Sequence, residues 1–332
     1  MKKSTKVLLA VALVLVITGG LLGVIGYGGM GFRFDKPFGF IVSRGNTPER
    51  ADVAEKTYTV SEAFRSIDVK SLDGDLRLCP AEDGVCRVVC MEHQYRTHTV
   101  EVVNGELRIE RHNEPGFFSM MDFGKDEIAL FLPGQDYESL TVSAASGDVS
   151  IPEGFSFDLA SLSAASGDIH FSAAVTGTLT LSAASGEISV DGAEPDLLSV
   201  STGSGDISLS ALRVGGKLYA ESTSGTIRVK DLRCGEAEVN STSGDQLLTG
   251  LVAAGRLKLH AVSGEIELSG CDGGDVYIDA TSGDVTGFLL TEKTFVTHTS
   301  SGTVRVPEGR GATCEVHTTS GDIRIRVEGI RA

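Results

Sequence analysis

A short motif, Ser-Gly followed by Asp, Glu or Thr, recurs ten times along the chain at a spacing of 19 or 20 residues. The motif glycines are Gly147, Gly167, Gly186, Gly205, Gly225, Gly244, Gly264, Gly283, Gly302 and Gly321. Self-similarity at a fixed period indicates a repeat architecture, in which each unit buries its apolar face only against its neighbours. Any fold for this chain must therefore repeat with this period.

Alignment of the ten units on the glycine brings their apolar residues into rows. The seventh and fifth residues before the glycine are mostly aliphatic, the third is always Ala, Ser or Thr, and those between are mostly polar. This alternation predicts a β-strand with one buried face. After the glycine the apolar positions become the second and fourth, so the phase slips by one. We therefore predict a corner at Ser-Gly, where glycine tolerates backbone angles that are closed to other residues.

One such unit supplies two or three short strands and cannot bury its own apolar face. Stacking solves this, because each strand pairs with its equivalent in the next coil and like side chains form rows inside. No unit has helical periodicity, and the signatures of leucine-rich repeats and of calcium-binding nonapeptide repeats are missing. The sequence predicts an all-β protein, a single-chain β-solenoid of stacked 19–20-residue coils. Ten coils about 4.8 Å apart give a rod of about 50 Å.

The N-terminal segment predicts a membrane anchor. Lys2, Lys3 and Lys6 are followed by an uncharged, largely apolar run that extends to Arg33. That run exceeds the roughly 20 residues needed to cross a bilayer, and the preceding lysines favour a cytoplasmic N-terminus. We predict a cytoplasmic stub at 1–6, a single-pass plasma-membrane helix at 7–31, a linker at 32–56 and an extracytoplasmic remainder. A cleaved signal peptide is the alternative, although its apolar region is usually shorter.

The residues after the linker divide into two parts. Residues 57–133 look like a degenerate form of the same coils that caps the solenoid, with Gly74 at an equivalent of the later corner and a hairpin turn at Asn104-Gly105. Residues 134–332 carry the regular repeats. At their end, residues 323–328 alternate in charge and are expected to close the solenoid and discourage edge-to-edge pairing.

Several of these motifs occur together in one known family. Their order is Phe64-x-x-Ile67-x-Val69, Leu107-x-Ile109, Leu132-Pro133 and then the Ser-Gly-Asp units. Over about residues 57–327 the chain resembles the bacterial putative-adhesin family, domain of unknown function 4097. The resemblance implies a β-strand-repeat ectodomain on a bacterial surface, and it supplies no catalytic residues.

An acidic residue follows the motif glycine in eight of the ten units. The eight are Asp148, Asp168, Glu187, Asp206, Asp245, Glu265, Asp284 and Asp322. Carboxylates on rungs about 4.8 Å apart repel one another, and Ca²⁺ would relieve that repulsion. The alternative is that each carboxylate accepts hydrogen bonds from turn amides and stays solvated. Calcium is the cofactor that this acidic row suggests.

A second row of metal-competent residues lies four positions before the glycine in the last four units. It comprises His260, Asp279, His298 and His317, which we expect on one exposed face of consecutive rungs. Histidine and carboxylate bind zinc or copper, although surface histidines often bind nothing. Protonation of the same histidines would make this surface responsive to pH.

Six cysteines occur in the chain. Cys314 and Cys271 fall in apolar rows and are expected to be buried thiols. Cys79, Cys86 and Cys90 cluster near His93, which leaves a disulfide or a zinc site open, although no paired Cys-x-x-Cys spacing occurs. The apolar residues 117–123 form a loop that either covers a solenoid end or contacts a partner or membrane.

Charge and motif content narrow the function. A net charge of −16 argues against nucleic-acid binding, which needs a basic face. No nucleophile motif or phosphate-binding loop stands out, so we predict a non-enzymatic, adhesin-like protein that binds another envelope component through its solenoid flank, such as cell wall or an envelope protein. Alternatives are an accessory or sensor in envelope stress and, less favoured, a polysaccharide-acting enzyme with paired acidic residues.

Overall fold

The computed structural model describes residues 54–71, 73–92, 96–113 and 127–328. These residues form 23 strands of one connected sheet and contain no helix. Within these four ranges, therefore, no helix is long and apolar enough to span a bilayer. The predicted stub and anchor, all of the linker before Ala54, His93 and the loop 117–123 lie outside the described residues.

The N-terminal part combines parallel coils with antiparallel strands. Its strands are β1 (Ala54–Val60), β2 (Ser66–Ser71), β3 (Asp75–Pro80), β4 (Cys86–Glu92), β5 (Arg96–Val103), β6 (Glu106–Asn113) and β7 (Glu127–Leu132). β6 pairs in parallel with β2, and β7 with β3, as successive solenoid coils do. β4 pairs antiparallel with both β1 and β7, and β5 pairs antiparallel with β6 through the Asn104-Gly105 turn.

The regular coils follow, and their strands are parallel throughout. They are β8 (Asp136–Ser146), β9 (Val149–Ile151), β10 (Ser156–Ser166), β11 (Ile169–Phe171), β12 (Ala174–Ser185), β13 (Ile188–Asp191), β14 (Leu197–Ser204), β15 (Ile207–Ser224), β16 (Ile227–Ser243), β17 (Gln246–Ser263), β18 (Ile266–Ser282), β19 (Val285–Leu289), β20 (Lys293–Ser301), β21 (Val304–Arg305), β22 (Ala312–Ser320) and β23 (Ile323–Val327). The prediction of an all-β solenoid is confirmed for the described residues.

The central coils have three paired segments in each turn. In β15, residues 207–210, 212–214 and 217–224 pair in succession with β16. Ala211, at φ 53°, separates the first two segments, and a register shift around Gly215 and Gly216 separates the last two. The aliphatic rows predicted before and after the glycine are buried in the inner coils, with Ile207, Leu218 and their equivalents pointing inward, whereas Val304 near the C-terminal end is 40% exposed.

The motif glycines stack directly on one another. Together with Gly74 they form a column that we call the glycine corner: Gly74, Gly147, Gly167, Gly186, Gly205, Gly225, Gly244, Gly264, Gly283, Gly321 and Gly302. A β-carbon added at Gly205 would overlap the carbonyl oxygen of Gly186, far inside the 3.0 Å that real β-carbons keep. The φ of Gly205 is also positive. The corner therefore requires glycine because the next coil leaves no room for a side chain.

Coil order in space departs from chain order at both ends. At the C-terminal end, β22 pairs with β18 on one side and with β20 on the other. At the N-terminal end, β2 pairs with β8 and with β6. At the C-terminal end the chain skips one position, which a later coil fills. At the N-terminal end β6 pairs with one side of β2 and the later β8 pairs with its other side. The expectation that every strand pairs with the next one along the chain is therefore wrong at the ends.

This crossing corrects the predicted C-terminal closure. Residues 323–328 do not close the solenoid, because β23 lies between β19 and β21. The outermost coil is β20–β21, where Val296 is 49% exposed and Val304 is 40% exposed. A buried ion pair connects β20 with β18, although β22 lies between them. Lys293 Nζ lies 2.7 Å from Asp272 Oδ1 and donates to the Gly273 carbonyl oxygen at 2.6 Å.

Candidate binding face

The acidic row runs beside the glycine corner, and its aspartates bond to the backbone. Asp148 Oδ1 accepts the Asp168 N–H at 2.9 Å, and Asp168 Oδ1 accepts the Glu187 N–H at 2.7 Å. The same bond recurs from Asp75, Asp206, Asp245, Asp284 and Asp322 to the next coil in space. The short side chain of Asp places its Oδ1 within reach of the amide on the adjacent coil. Glu187 and Glu265, whose side chains are longer, do not form this bond.

Basic side chains reduce the repulsion along this row. Arg228 lies 2.5 Å from Asp206, and Arg324 contacts both Asp284 and Asp322. The hydrogen bond from Arg228, aided by that from the Thr226 amide, lowers the pKa of Asp206 below its usual value. The backbone bonds thus satisfy one oxygen of each aspartate without an ion, and the arginines contact the second oxygen of Asp206, Asp284 and Asp322. Calcium binding by the eight predicted residues stays a prediction.

The histidine row lies on one face, but its order differs from the predicted one. Asp279 neighbours His260 and His317, and His298 lies beyond His317 at the edge. His260 Nδ1 is 3.5 Å from Asp279 Oδ2, and His317 Nε2 is 2.6 Å from Glu315 Oε1. The rings of His298 and His317 are 6.3 Å apart. The crossing of the last two coils is the reason for the changed order, and zinc or copper binding here stays a prediction.

The sheet that ends at the glycine corner exposes two outward rows, the sixth and fourth residues before the glycine, which we call the long face. Its first half carries only hydroxyl side chains, and we call this the hydroxyl half: Thr141, Ser161, Thr180, Ser199, Ser143, Ser163, Ser182 and Ser201. Its second half carries large polar, aromatic and charged side chains, and we call this the charged half: Tyr219, Glu238, Lys258, Tyr277, Glu315, Glu221, Asn240, His260, Asp279 and His317. Inward rows are alike in both halves, so the difference is confined to the surface.

Ion pairs across rungs fix the middle of the charged half. Glu238 Oε1 accepts from Lys258 Nζ at 2.7 Å, and its Oε2 accepts from Lys217 Nζ at 2.9 Å. These hydrogen bonds, that from Lys258 first, lower the pKa of Glu238 to about 2. Glu238 is therefore ionised at neutral pH and holds two lysines in place along the solenoid axis.

Two half-buried tyrosines flank this charge cluster. Tyr219 donates its hydroxyl to Glu221 Oε2 at 2.6 Å, and burial, with this bond, raises its pKa to about 12. Tyr277 lies 6.2 Å from the His317 ring, and burial raises its pKa as well. A shallow groove of about 380 Å³ passes beside Tyr277, lined by Arg256, Lys258, Asp275, Thr313 and Glu315. Both tyrosines stay neutral and present an apolar ring with a polar tip.

A second groove lies at a corner that sequence reasoning missed. Six residues after the corner glycine, Gly192, Ala211, Asp231, Gly250 and Gly270 all have φ between 53° and 71°. We call this column the second corner. A groove of about 480 Å³ runs along it, with Arg213, Arg233, Val252 and Leu290 in its lining. The only sequence signal was a glycine six residues after the motif glycine in some units. Ala211 and Asp231 occupy this position in two of the five coils, so the signal is weak.

None of the described cysteines forms a disulfide. Cys86 and Cys90 are four residues apart on β4 and point inward, so they stand about 13 Å apart, beyond the reach of a disulfide. Cys79 is on β3 and partly exposed. Cys271 and Cys314 are buried in the apolar rows, and burial raises the pKa of Cys314 to about 12.

Comparison with protein families gives one match that spans most of the chain. The family described as Toastrack DUF4097 matches residues 64–245 and 193–331. A search of curated proteins found none that matches.

The chain is also similar to several solved structures at low sequence identity. A "putative adhesin" from Parabacteroides distasonis is 16% identical, covers 82% of this chain and 97% of its own, and has a TM-score of 0.44. A "putative adhesin" from Bacteroides fragilis is 16% identical, with 85% and 100% coverage and a TM-score of 0.42. A "putative lipid binding protein" from Parabacteroides distasonis is 14% identical, with 83% and 98% coverage and a TM-score of 0.45.

Proposed function

Because the chain belongs to the Toastrack DUF4097 family, we propose that it is a membrane-anchored, extracytoplasmic and non-catalytic protein that binds an envelope component along its charged half. Family membership gives the architecture, and the β-solenoid supplies a long regular flank. The ligand class we propose is an extended polymer of the cell envelope, either wall glycan or an extended protein segment.

One observation carries this proposal: along the regular coils of this face, large side chains start at Tyr219 and occur in every later coil, whereas the four coils before it carry only Ser and Thr. Neither the buried rows nor the glycine corner requires Tyr, Lys or Glu there, since Ser and Thr serve the same positions in the hydroxyl half. Tyrosine offers a rigid amphipathic surface with little conformational entropy to lose, and it is enriched in binding sites. The opposite charges of Glu238 and Lys258 on adjoining rungs would recognise complementary polar groups along such a polymer.

The non-catalytic assignment is supported by how the acidic residues are used. A glycosidase needs two carboxyl groups that face a sugar with different protonation states. Along the described acidic row each aspartate instead accepts a backbone amide of the neighbouring coil, and this bond recurs along the row. We therefore propose binding without turnover.

The proposed location rests on the apolar segment at 7–31 and can be tested in cells. The full chain should remain in the membrane pellet after alkaline extraction, because a spanning helix is retained whereas a surface-bound protein is released. Protease added outside intact cells or protoplasts should remove the solenoid. Release at alkaline pH, or full protection of the solenoid, would contradict this location.

Binding can be tested with the full chain in detergent micelles and isolated cell envelopes from a bacterium that carries the protein. The combined variant Tyr219→Ser, Glu238→Ser, Lys258→Ser and Tyr277→Ser should weaken co-sedimentation about tenfold, or about 1.4 kcal/mol. The matched control, Ser161→Ala, Thr180→Ala and Ser199→Ala, alters the hydroxyl half and should bind like the unaltered protein. Equal sedimentation of both variants would exclude the charged half as the binding surface.

A further inference from the structure

Three side chains of different ligand chemistry meet inside the N-terminal part, far along the chain from the charged half. They are Cys90 and Glu92, which both point inward from β4, and His98, which points inward from β5. Their Sγ, carboxylate oxygen and imidazole nitrogen atoms all lie within 4.8 Å of one another. Among the described residues, this is the only group of three or more such ligands gathered so closely.

Burial sets this cluster apart from the two surface rows. Cys90 is 1% exposed, His98 5% and Glu92 8%. A substrate has no access to such a site, so a cysteine nucleophile here would have nothing to attack. A small ion needs no such access, and removal from water strengthens its attraction to charged ligands.

Contacts around Glu92 hold its carboxylate in position. Tyr58 donates its hydroxyl to Glu92 Oε1 at 2.6 Å, and the His98 backbone N–H donates to the same oxygen at 2.8 Å. Lys56 Nζ lies 3.0 Å from Oε2. Burial raises the pKa of Glu92, but the hydrogen bonds from Tyr58, Lys56 and the His98 amide outweigh it, so the net shift is downward.

From this geometry we propose that Cys90, Glu92 and His98 bind one Zn²⁺. Thiolate, imidazole and carboxylate are the three side-chain ligand types of zinc, and sites with three protein ligands are common. In tetrahedral zinc sites the ligand atoms stand about 3.5 Å apart, so side-chain adjustments of about 1 Å would bring the three into range. Tyr58 and the His98 amide would then orient the Glu92 carboxylate through their hydrogen bonds, as groups that bond to metal ligands do in zinc proteins.

The charges of the cluster balance when zinc binds. Cys90 loses its thiol proton to solvent and binds as thiolate, Glu92 is already ionised, and His98 binds as neutral imidazole, which together neutralise Zn²⁺. Lys56 then loses its main partner, but its side chain is 50% exposed and turns to water. Zinc thus replaces the Lys56 ammonium as the counter-charge of Glu92.

This site differs from the one that the sequence left open. Sequence proximity associated Cys90 with Cys79, Cys86 and His93, whereas the structure brings Glu92 and His98 to it. Cys79 is on another strand, and Cys86 lies four residues away along β4. The pattern Cys-x-Glu followed six residues later by His becomes a cluster only because β4 and β5 fold their inward faces together.

Zinc content of the purified full chain tests the proposal. After chelator treatment and addition of ZnCl₂, the Cys90→Ser and His98→Gln variants should each retain one zinc ion fewer than the unaltered protein. The matched controls Cys79→Ser and His298→Gln should retain the unaltered content. Replacement by Co²⁺ should give a thiolate-to-cobalt charge-transfer band that Cys79→Ser keeps and Cys90→Ser loses.

A second measurement separates zinc binding from misfolding of the variants. The unaltered protein, stripped and reloaded, should unfold at a higher temperature with zinc than without it, since a ligand bound only by the folded state stabilises it. No zinc in the unaltered protein, no thiolate-to-cobalt band, or equal zinc content in Cys90→Ser and Cys79→Ser would each overturn the proposal. Loss of zinc in His298→Gln but not in His98→Gln would assign the metal to the surface histidines instead.

Discussion

The glycine corner and the second corner both bend the chain through positive φ, yet only one of them demands glycine in every coil. At the glycine corner an added β-carbon would overlap the backbone of the coil below, as at Gly205 above Gly186. At the second corner a β-carbon on Gly192 would meet nothing within 4 Å. Ala211 and Asp231 accordingly occupy that column at φ 53° and 54°.

The difference separates two requirements that glycine can meet. Backbone conformation alone costs a side-chain-bearing residue about 1–2 kcal/mol in the left-handed region, which a single coil can tolerate. A side chain cannot be accommodated where stacked backbones approach closely, because the coil spacing is fixed by hydrogen bonds on both sides. A solenoid corner becomes visible in sequence only where both requirements coincide.

The largest effect is expected for Gly205→Ala at the glycine corner. The new methyl group would have to displace the Gly186 carbonyl and break the adjoining bond from the Gly205 N–H to the Ser224 carbonyl, now 2.9 Å long. We expect a loss of roughly 3 kcal/mol or more in the free energy of unfolding, measured by urea denaturation.

Ser201→Val is the control for this change, since it also adds one non-hydrogen atom, but on the outer side of the same coil. Its outward position on the long face predicts a change within about 0.5 kcal/mol. Equal losses in the two variants would mean that stacking at the glycine corner is not what restricts it to glycine.

A smaller loss is expected for Gly192→Ala at the second corner. Its φ of 71° is unfavourable for alanine, but no atom obstructs the new methyl group. We expect a loss of about 1 kcal/mol by the same measurement. Gly134→Ala, where neither a positive φ nor a close neighbour occurs, should change stability little. A loss at Gly192 as large as at Gly205 would remove the distinction between the corners.

The reverse change, Ala211→Gly, should stabilise the protein. Glycine relieves the strain of Ala211 at φ 53°, although part of the gain is offset by the greater freedom of glycine in the unfolded chain. We expect a net gain of about 0.5 kcal/mol in the free energy of unfolding. A loss of stability would show that the Ala211 methyl group packs usefully against its surroundings.

The same reasoning explains how far the sequence could be interpreted. The period, the buried rows and the glycine corner were predictable because every coil repeats the same steric demand. The second corner was not, because Ala211 and Asp231 interrupt its column. Coil order at the ends was not predictable either, since the units around Gly283, Gly302 and Gly321 carry the same local pattern, and tertiary contacts such as Lys293 with Asp272 distinguish them.

Surface sites were predictable only as rows. The acidic and histidine rows follow directly from the repeat, and their members lie on single faces as expected. The cluster of Cys90, Glu92 and His98 lies in the irregular N-terminal part, where β4 and β5 leave the repeat pattern. No periodicity relates these residues, so their meeting depends on the pairing of strands that spacing alone does not define.

The smallest effect concerns the charge that follows the glycine corner. Asp206 accepts the Thr226 N–H at 2.8 Å and pairs with Arg228. Its pKa is lowered on folding, chiefly by Arg228, so the stabilisation is complete above the unfolded pKa of about 3.9 and is lost as the pH falls through the lower folded value. Asp206→Asn should cost about 0.5 kcal/mol at pH 7, since solvent screens an exposed pair.

This cost should stay constant from pH 7 to about pH 5 and then shrink below pH 4, when the free energy of unfolding is measured for both proteins at each pH. Arg228→Gln is the matched partner change, and the double variant should cost less than the two single costs added, because either change alone already removes the ion pair. No cost at any pH would show that Asp206 acts only by accepting the hydrogen bond from the Thr226 N–H, which the asparagine carbonyl also accepts. In that case the acidic row would stabilise the glycine corner only through its hydrogen bonds to the next coil, and its negative charge would not contribute to stability.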